Sequence, residues 1–343
     1  MGAVASTVRT RASRRLPAYP DEGRRKVGGA PLTFLLSLLA AAVIAMVALR
    51  LLGIDGDHVM VVLLAGTPYA AGGGALLVLF AMLVRRWAVA VVALAFTVCL
   101  FAAVAPRAFT APRPLGVGPA VRLLSLDLAQ GRADAATVVA LIRAQHIDVV
   151  AFQELTPQSV AALAAAGLAA ELPNQIFQPG DGPTGSGIAS RYPLAPVQIE
   201  TPTTFPQATA QVSLPQNRAI QVQSVHVRPP TDDNTTDTWK RELDALPDIV
   251  DGAPPMVLAG DYNATIDHAG LRAQMISGFV DAASQAGQGL LPTWPTGGRL
   301  PPLLPIDHVL VDKRCPVDTF AAFDVPGTDH RAVLAQFVAT VNG

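Results

Sequence analysis

The sequence predicts an α/β domain of packed, mixed β-sheets covered by helices, preceded by three membrane-spanning helices. Three observations carry this. The first third of the chain holds three long apolar blocks, Pro31 to Leu49, Val59 to Val84 and Trp87 to Ala105, without a single charge. From Val121 onward, short apolar runs alternate with amphipathic segments, the pattern of strands mixed with helices. Hairpin signals occur beside crossover lengths, which argues against a purely parallel, doubly wound sheet.

Composition agrees with a chain of two characters. Of 343 residues, 51% are hydrophobic and only 15% charged, and the mean hydropathy is +0.38. Residues 1–30 are different, with seven basic residues against two acidic ones and no apolar periodicity; they read as a disordered, basic, cytoplasmic tail. The apolar blocks follow at about residues 31–53, 59–84 and 87–105, each near or above the ~20 residues that cross a bilayer. The middle block contains Thr67-Pro68 and Gly72-Gly73-Gly74, residues tolerated in membrane helices where a kink or close packing is accommodated. Arg85-Arg86 shares a side with the basic tail, whereas Asp55 and Asp57 lie on the other. The basic side is cytoplasmic, so three crossings make a multi-pass protein of the cell membrane with everything after Ala105 outside the cytoplasm.

Residues 106–119 contain four prolines and read as a semi-rigid linker. A single domain over residues 120–343 follows. Val121 to Leu128 is its first strand, Asp134 to Gln145 a helix with Val138, Val139, Leu141 and Ile142 on one face, and Ile147 to Gln153 the next strand. Thr156-Pro157 caps a short Ala-rich helix that stops at Gly167. Ala208 to Leu214 and Ala219 to Val227 form a hairpin, Trp239 to Ile249 a helix, and Val257 to Ala259 a buried strand. That strand ends abruptly in Gly260-Asp261-Tyr262-Asn263, which delivers two polar side chains to a carboxyl edge, where open α/β sheets place their ligand crevices.

Four other stretches end in the same manner: Gln153-Glu154, Ser224-Val225-His226, Ile306-Asp307-His308 and Thr328-Asp329-His330. In this order the five motifs resemble the endonuclease/exonuclease/phosphatase superfamily, the fold of pancreatic-type deoxyribonuclease, over about residues 120–340. The resemblance implies two mixed sheets packed face to face with helices outside, and an active crevice at one edge of the sandwich. It implies Glu154 as the main metal ligand, with Asp127 and Asp329 also at the metal, and magnesium as the ion, with manganese or calcium as alternatives. It further implies Asp261 orienting or deprotonating water, Asn263 donating to the phosphoryl group, Asp307 paired with His330, and His226 contacting the phosphoryl group or acting as general acid. The chain departs from the family at Asp127, where an Asn is usual.

Elementary chemistry agrees with this set, because phosphoester hydrolysis needs neutralised phosphoryl oxygens, an activated water and a stabilised leaving oxygen. Oxygen ligands such as Glu154 suit a hard cation. The remaining histidines, His58, His146, His268 and His308, are left out of the site; strand alternation turns His308 away from Asp307's face. The spans lack the ionisable residues of a transporter. From Pro106 onward there are fifteen basic residues against twenty-two acidic ones and no basic stripe that would follow a phosphate backbone. The expected function is a membrane-tethered phosphoester hydrolase whose partners are membrane lipids and a compact phosphoester, a lipid headgroup included. An extracytoplasmic nuclease, or an inactive member that binds a headgroup or a partner, are the alternatives.

Overall fold

The uncharged blocks fold as helices because nothing in them competes with the backbone ladder and their side chains pack on one another. The computed structural model describes residues 29–111, 116–199 and 202–340. The expected basic tail therefore lies outside the described residues up to position 28. Helix α1 is Gly29–Leu52, α2 His58–Ala65, α3 Thr67–Leu83 and α4 Trp87–Val104. Leu36, Ala40, Val43, Leu77, Ala81, Ala93 and Leu100 form the seam between α1, α3 and α4. Gly74 is there because a Cβ at its position would stand 2.4 Å from Thr97 Oγ1.

Three continuous spans are not what forms. Two helices, Gly29–Leu52 and the one beginning at Trp87, are long and apolar enough to cross a membrane. The middle block is a pair bent by 67°, and only counting that pair as one span gives three. The break falls at Gly66, where Thr67 Oγ1 turns back to Leu64 O and Pro68 opens the new helix, a position where the missing N–H costs nothing. Helices α1 and α4 run parallel: Arg86 Nη2 donates to Gly29 O at their starts, and Arg50 and Arg107 meet on one aspartate at their ends.

The domain follows the sequence closely. Its elements are β1 Ala120–Asp127, α5 Ala135–Ala144, β2 Val149–Gln153, α6 Pro157–Ala165, α7 Leu168–Glu171, β3 Asn174–Gln178, β4 Ser186–Ser190, β5 Leu194–Pro196, β6 Thr209–Leu214, β7 Arg218–His226, α8 Asp233–Asp244, β8 Met256–Asp261, α9 Ala269–Ile276, β9 Phe279–Asp281, α10 Ala282–Gln285, β10 Asp307–Asp312, β11 Val317–Asp324 and β12 Arg331–Val338. They form two six-stranded sheets, ordered β11-β12-β1-β2-β4-β3 and β5-β6-β7-β8-β10-β9. Each is mixed, with one parallel pair at its heart: β1 with β2 and β7 with β8. Val121, Leu123, Val149 and Ile188 of one sheet meet Val212, Val222, Val257 and Val309 of the other. The outer faces are covered by α5 to α7 on one side and by Trp239, Leu243 and Leu271 of α8 and α9 on the other.

Three expectations are corrected. Helix α8 begins six residues before Trp239 and ends five before Ile249, because Asp232 caps it with Thr235 in a reciprocal capping box, and its first turns are too polar to show periodicity. Helix α2 is not part of a membrane span by packing: its Val61 is buried with Trp239, Leu258 and Leu271 in the outer layer of the two-sheet domain. The expected semi-rigid linker is docked instead of acting as a spacer. Ala105–Ala108 is a 3-10 turn whose Arg107 is only 6% exposed, and Thr110 bridges to Ala286; residues 112–115 lie outside the described residues.

Candidate active site

Both parallel pairs end at the same edge of the sandwich, and that convergence builds the site. The registers place Asp127 opposite Gln153, His226 opposite Asp261 and Asp307 opposite Asp261. Gly260 lets β7 and β8 approach just before this edge, since a Cβ there would fall 1.7 Å from Val225 O. Beyond the strand ends, Glu154 and Asn263 both take left-handed backbone, with φ of 53° and 47°. Non-glycine residues bear that cost mainly where surrounding structure imposes it, as at functional sites.

The tightest pairing is between Asp307 and His330. His330 Nδ1 stands 3.1 and 3.0 Å from the two oxygens of Asp307, and its Nε2 lies 3.9 Å from Asp261 Oδ2. Burial alone would lower the imidazole's pKa, but Asp307 and Asp261 outweigh it and hold the ring protonated well above the usual range. Asp261 is pushed up to about 7 by burial, against the pull of His330. Its Oδ1 accepts the Asn263 backbone N–H at 2.7 Å and its Oδ2 accepts Asn263 Nδ2 at 2.9 Å. The same amide nitrogen donates to Val227 O at 3.1 Å. Both amide hydrogens are thus engaged within the protein, and in this arrangement Asn263 holds Asp261 in place.

His226 stacks on Phe205 with ring centroids 4.7 Å apart and approaches Glu154 Oε1 to 4.0 Å. Burial, followed by the positive charge of His330, lowers its pKa to about 4, so it is a neutral ring. Burial also raises Asp127 well above the carboxylate range, with Glu154 and Asp261 adding to it while His330 opposes. Glu154 is raised by burial as well. Carboxylates crowded so closely in a buried crevice are only partly offset by the His330 imidazolium, a condition that a hard divalent cation relieves. Ligand atoms of Asp127, His226 and Asp261 lie within 4.8 Å of one another, as do those of Asp261, Asp307 and His330. Glu154 adjoins the first group through His226. Asp329 stands apart, half exposed, with Oδ2 accepting Trp294 Nε1 at 3.3 Å and Oδ1 3.9 Å from Arg132 Nη2.

Every residue singled out from the sequence therefore lies at or beside one edge, with Asp329 on its rim. Four further residues of that edge were missed. Phe205, Gln153 and Thr328 position the others: Gln153 Nε2 donates to Ser224 Oγ across the sandwich, and Thr328 Oγ1 ties the last loop to Asp127 O. Arg132 is the fourth, a cation beside Glu154 and Asp329. Gln153 and Thr328 had a signal, in their places before Glu154 and before Asp329-His330. Phe205 and Arg132 lie in loops whose approach to the site is tertiary.

The model of the Endonuclease/Exonuclease/phosphatase family matches residues 121–330. The chain belongs to that family. Among solved structures it is similar to an endonuclease/exonuclease/phosphatase from Beutenbergia cavernae, at 19% identity over 64% of this chain and 72% of that one, with a TM-score of 0.51. It is also similar to a 3′ phosphatase from Neisseria bound to a product DNA hairpin and to an AP endonuclease from Archaeoglobus fulgidus. Each of these is 14% identical over 63% of this chain and 98% of the other, with a TM-score of 0.50. At such identities the likeness is one of fold. No curated protein matches the chain. Family members of this fold hydrolyse phosphoesters with divalent metals, and the buried Asp and His cluster suits that chemistry.

Proposed function

We propose that the protein is a membrane-anchored, divalent-metal-dependent phosphoester hydrolase that works outside the cytoplasm. The observation that carries this reading is the Asp307–His330 pair facing Asp261 among crowded buried carboxylates. Asp261, with a pKa of about 7, is matched to taking a proton from water near neutral pH. Asn263 fixes its direction. His330 keeps Nδ1–H on Asp307 and turns Nε2–H to the crevice, where an imidazolium donates to a phosphoryl oxygen as negative charge develops. His226, neutral and braced by Phe205, turns Nε2 towards Glu154 and would meet the phosphoryl group or the leaving oxygen through that nitrogen. Asp127, Glu154 and Asp329 are the residues that would hold magnesium, or manganese or calcium in its place. A bound divalent ion there supplies charge neutralisation of the phosphoryl group.

The topology follows from direction. Two parallel apolar helices need a return crossing between them, and α3, with 17 residues at ~1.5 Å each, gives about 25 Å of apolar helix for it. Arg85 and Arg86 lie at the bundle's far end from the catalytic domain, and basic loops stay cytoplasmic. For the substrate, the acidic excess of the domain and the lack of a basic stripe favour a compact phosphoester, a lipid headgroup included, over duplex DNA. The test is turnover by the full chain on plasmid DNA, inositol phosphates, phospholipids and small phosphoesters at physiological salt with magnesium, manganese and calcium. Efficient cleavage of DNA without activity on the compact substrates contradicts the substrate reading; turnover of none contradicts the enzyme.

A further inference from the structure

Residues 294–304 form a loop rich in Pro and Gly, closed at its base by a bridge between Trp294 and Leu304. One flank belongs to the rim of the site: Trp294 Nε1 donates to Asp329 Oδ2 and the Thr296 N–H donates to Asp329 O at 2.8 Å. The outer part carries Leu300, 65% exposed, and Leu303, 38% exposed. Leu303 O accepts the hydroxyl of Tyr69 at 2.6 Å. Tyr69 lies in the first turn of α3, at the end of the bundle where Arg50 and Arg107 also stand. Tyr at a span's end is typical of the bilayer interface, so the rim of the crevice rests on the level where the bundle leaves the membrane.

A second set of contacts keeps it there. Asp267, six residues after Asp261, accepts Arg50 Nε at 2.7 Å and Arg107 Nη1 and Nη2 at 2.9 and 2.6 Å. Both oxygens of Asp55 accept the Ala269 N–H at 2.9 Å, His268 Nε2 lies 2.9 Å from Val61 O, and Arg272 Nη2 donates to Arg50 O at 2.8 Å. The loop after the Gly-Asp-Tyr-Asn strand and the loop before the Ile-Asp-His strand are both held against the bundle's end. A domain so held does not swing on a tether.

We propose that the catalytic domain is fixed with the rim of its site at the bilayer surface, that Leu300 and Leu303 dip into the headgroup and acyl boundary, and that the substrate is a phosphoester carried on a lipid. This rests on the hydrolase and membrane-span readings given above. Exposed leucines beside an apolar bundle gain by entering that boundary, and Arg299 and Arg132 stand on the same rim to meet an anionic headgroup. A lipid then needs to lift only its headgroup to reach Asp261 and His330.

The experiment uses the full chain in phosphatidylcholine vesicles containing phosphatidylglycerol or phosphatidic acid, beside soluble bis(p-nitrophenyl) phosphate. In Leu300→Asp and Leu303→Asp variants, lipid turnover should fall about tenfold or more while turnover of the soluble ester stays at the wild-type rate. An equal loss on both substrates, or unimpaired lipid turnover, overturns the proposal. Wild-type hydrolysis of the soluble ester alone overturns the lipid assignment and leaves the hydrolase reading standing; hydrolysis of neither overturns both. A readout independent of activity is the fluorescence of Leu300→Trp, expected to be quenched by lipids brominated near the headgroup end of their chains. Emission unchanged from the same variant in unbrominated vesicles overturns the proposal.

Discussion

Replacing Asp267 with Ala removes the one carboxylate that the buried Arg107 and the partly buried Arg50 share. Arg50 and Arg107 place three donors on it within 2.9 Å, and the three side chains are 14%, 7% and 1% exposed. Burial by itself would raise the Asp267 pKa, yet the two guanidiniums outweigh it and hold the carboxyl below its usual range. Truncation leaves both cations without their counter-charge, a loss of about 3–5 kcal/mol. For a domain of roughly 200 residues, each kcal/mol moves the melting temperature by about 2–4 °C, so the drop should be on the order of 10 °C. Thermal melting of the full chain in detergent measures it. The informative control is the triple change Arg50→Leu, Arg107→Leu and Asp267→Leu, which removes all the charges at once and should recover much of the loss. If Asp267→Ala melts within about 2 °C of wild type, the cluster is solvated, and the reasoning that docks the domain on the bundle is wrong.

Three further predictions follow from the site and the topology. The carboxyls of Asp127 and Glu154, two of the groups that would hold the ion, have raised pKa values, so they hold protons to higher pH than ordinary acids and a divalent ion must displace them. Apparent magnesium affinity should therefore strengthen as pH rises above the ordinary carboxylate range, with proton release measurable by titration calorimetry in buffers of different ionisation enthalpy; pH-independent affinity would falsify the assignment of these groups to the metal. Gly260→Ala should cost about 1–3 kcal/mol or more and most of the activity, because the new methyl meets Val225 O and parts β7 from β8 between His226 and Asp261; a variant with native melting and turnover contradicts the close approach. A reporter that functions only outside the cytoplasm, fused after Gly343, should be active, and activity of a cytoplasm-only reporter at the same place reverses the topology.

The edge of the sandwich was legible because each strand that feeds it announces its end in sequence. An apolar run of strand length that stops at Glu154, His226, Asp261 or Asp307 is a local signal, and β1, β2, β8 and the β6–β7 hairpin form within a residue or two of the expected places. Face-to-face packing was not legible from periodicity, because the inner residues Leu123, Val149 and Val222 look no different from the outer Leu124, Val150 and Val225; the order of the motifs carried it. What failed was local reading of tertiary facts. His58 to Ala65 is as apolar as the helix that follows, yet it packs on α8 and α9 and bends away. Arg107 in a Pro-rich stretch reads as linker, and only Asp267, distant in sequence, makes it buried. Short strands such as β3 and β4 left no strong pattern, since Gly185, Gly187 and several polar residues interrupt them.

The central claim is that phosphoester hydrolysis here depends on a divalent ion and on the Asp307–His330 pair. The direct measurement is turnover of the best soluble phosphoester by the full chain, with magnesium and with a chelator, for wild type and His330→Ala. The account predicts loss of activity in chelator, restored by added metal, and a fall of at least ~100-fold in kcat for His330→Ala with the fold intact by melting. Full turnover in chelator, or a His330→Ala enzyme as fast as wild type, contradicts it.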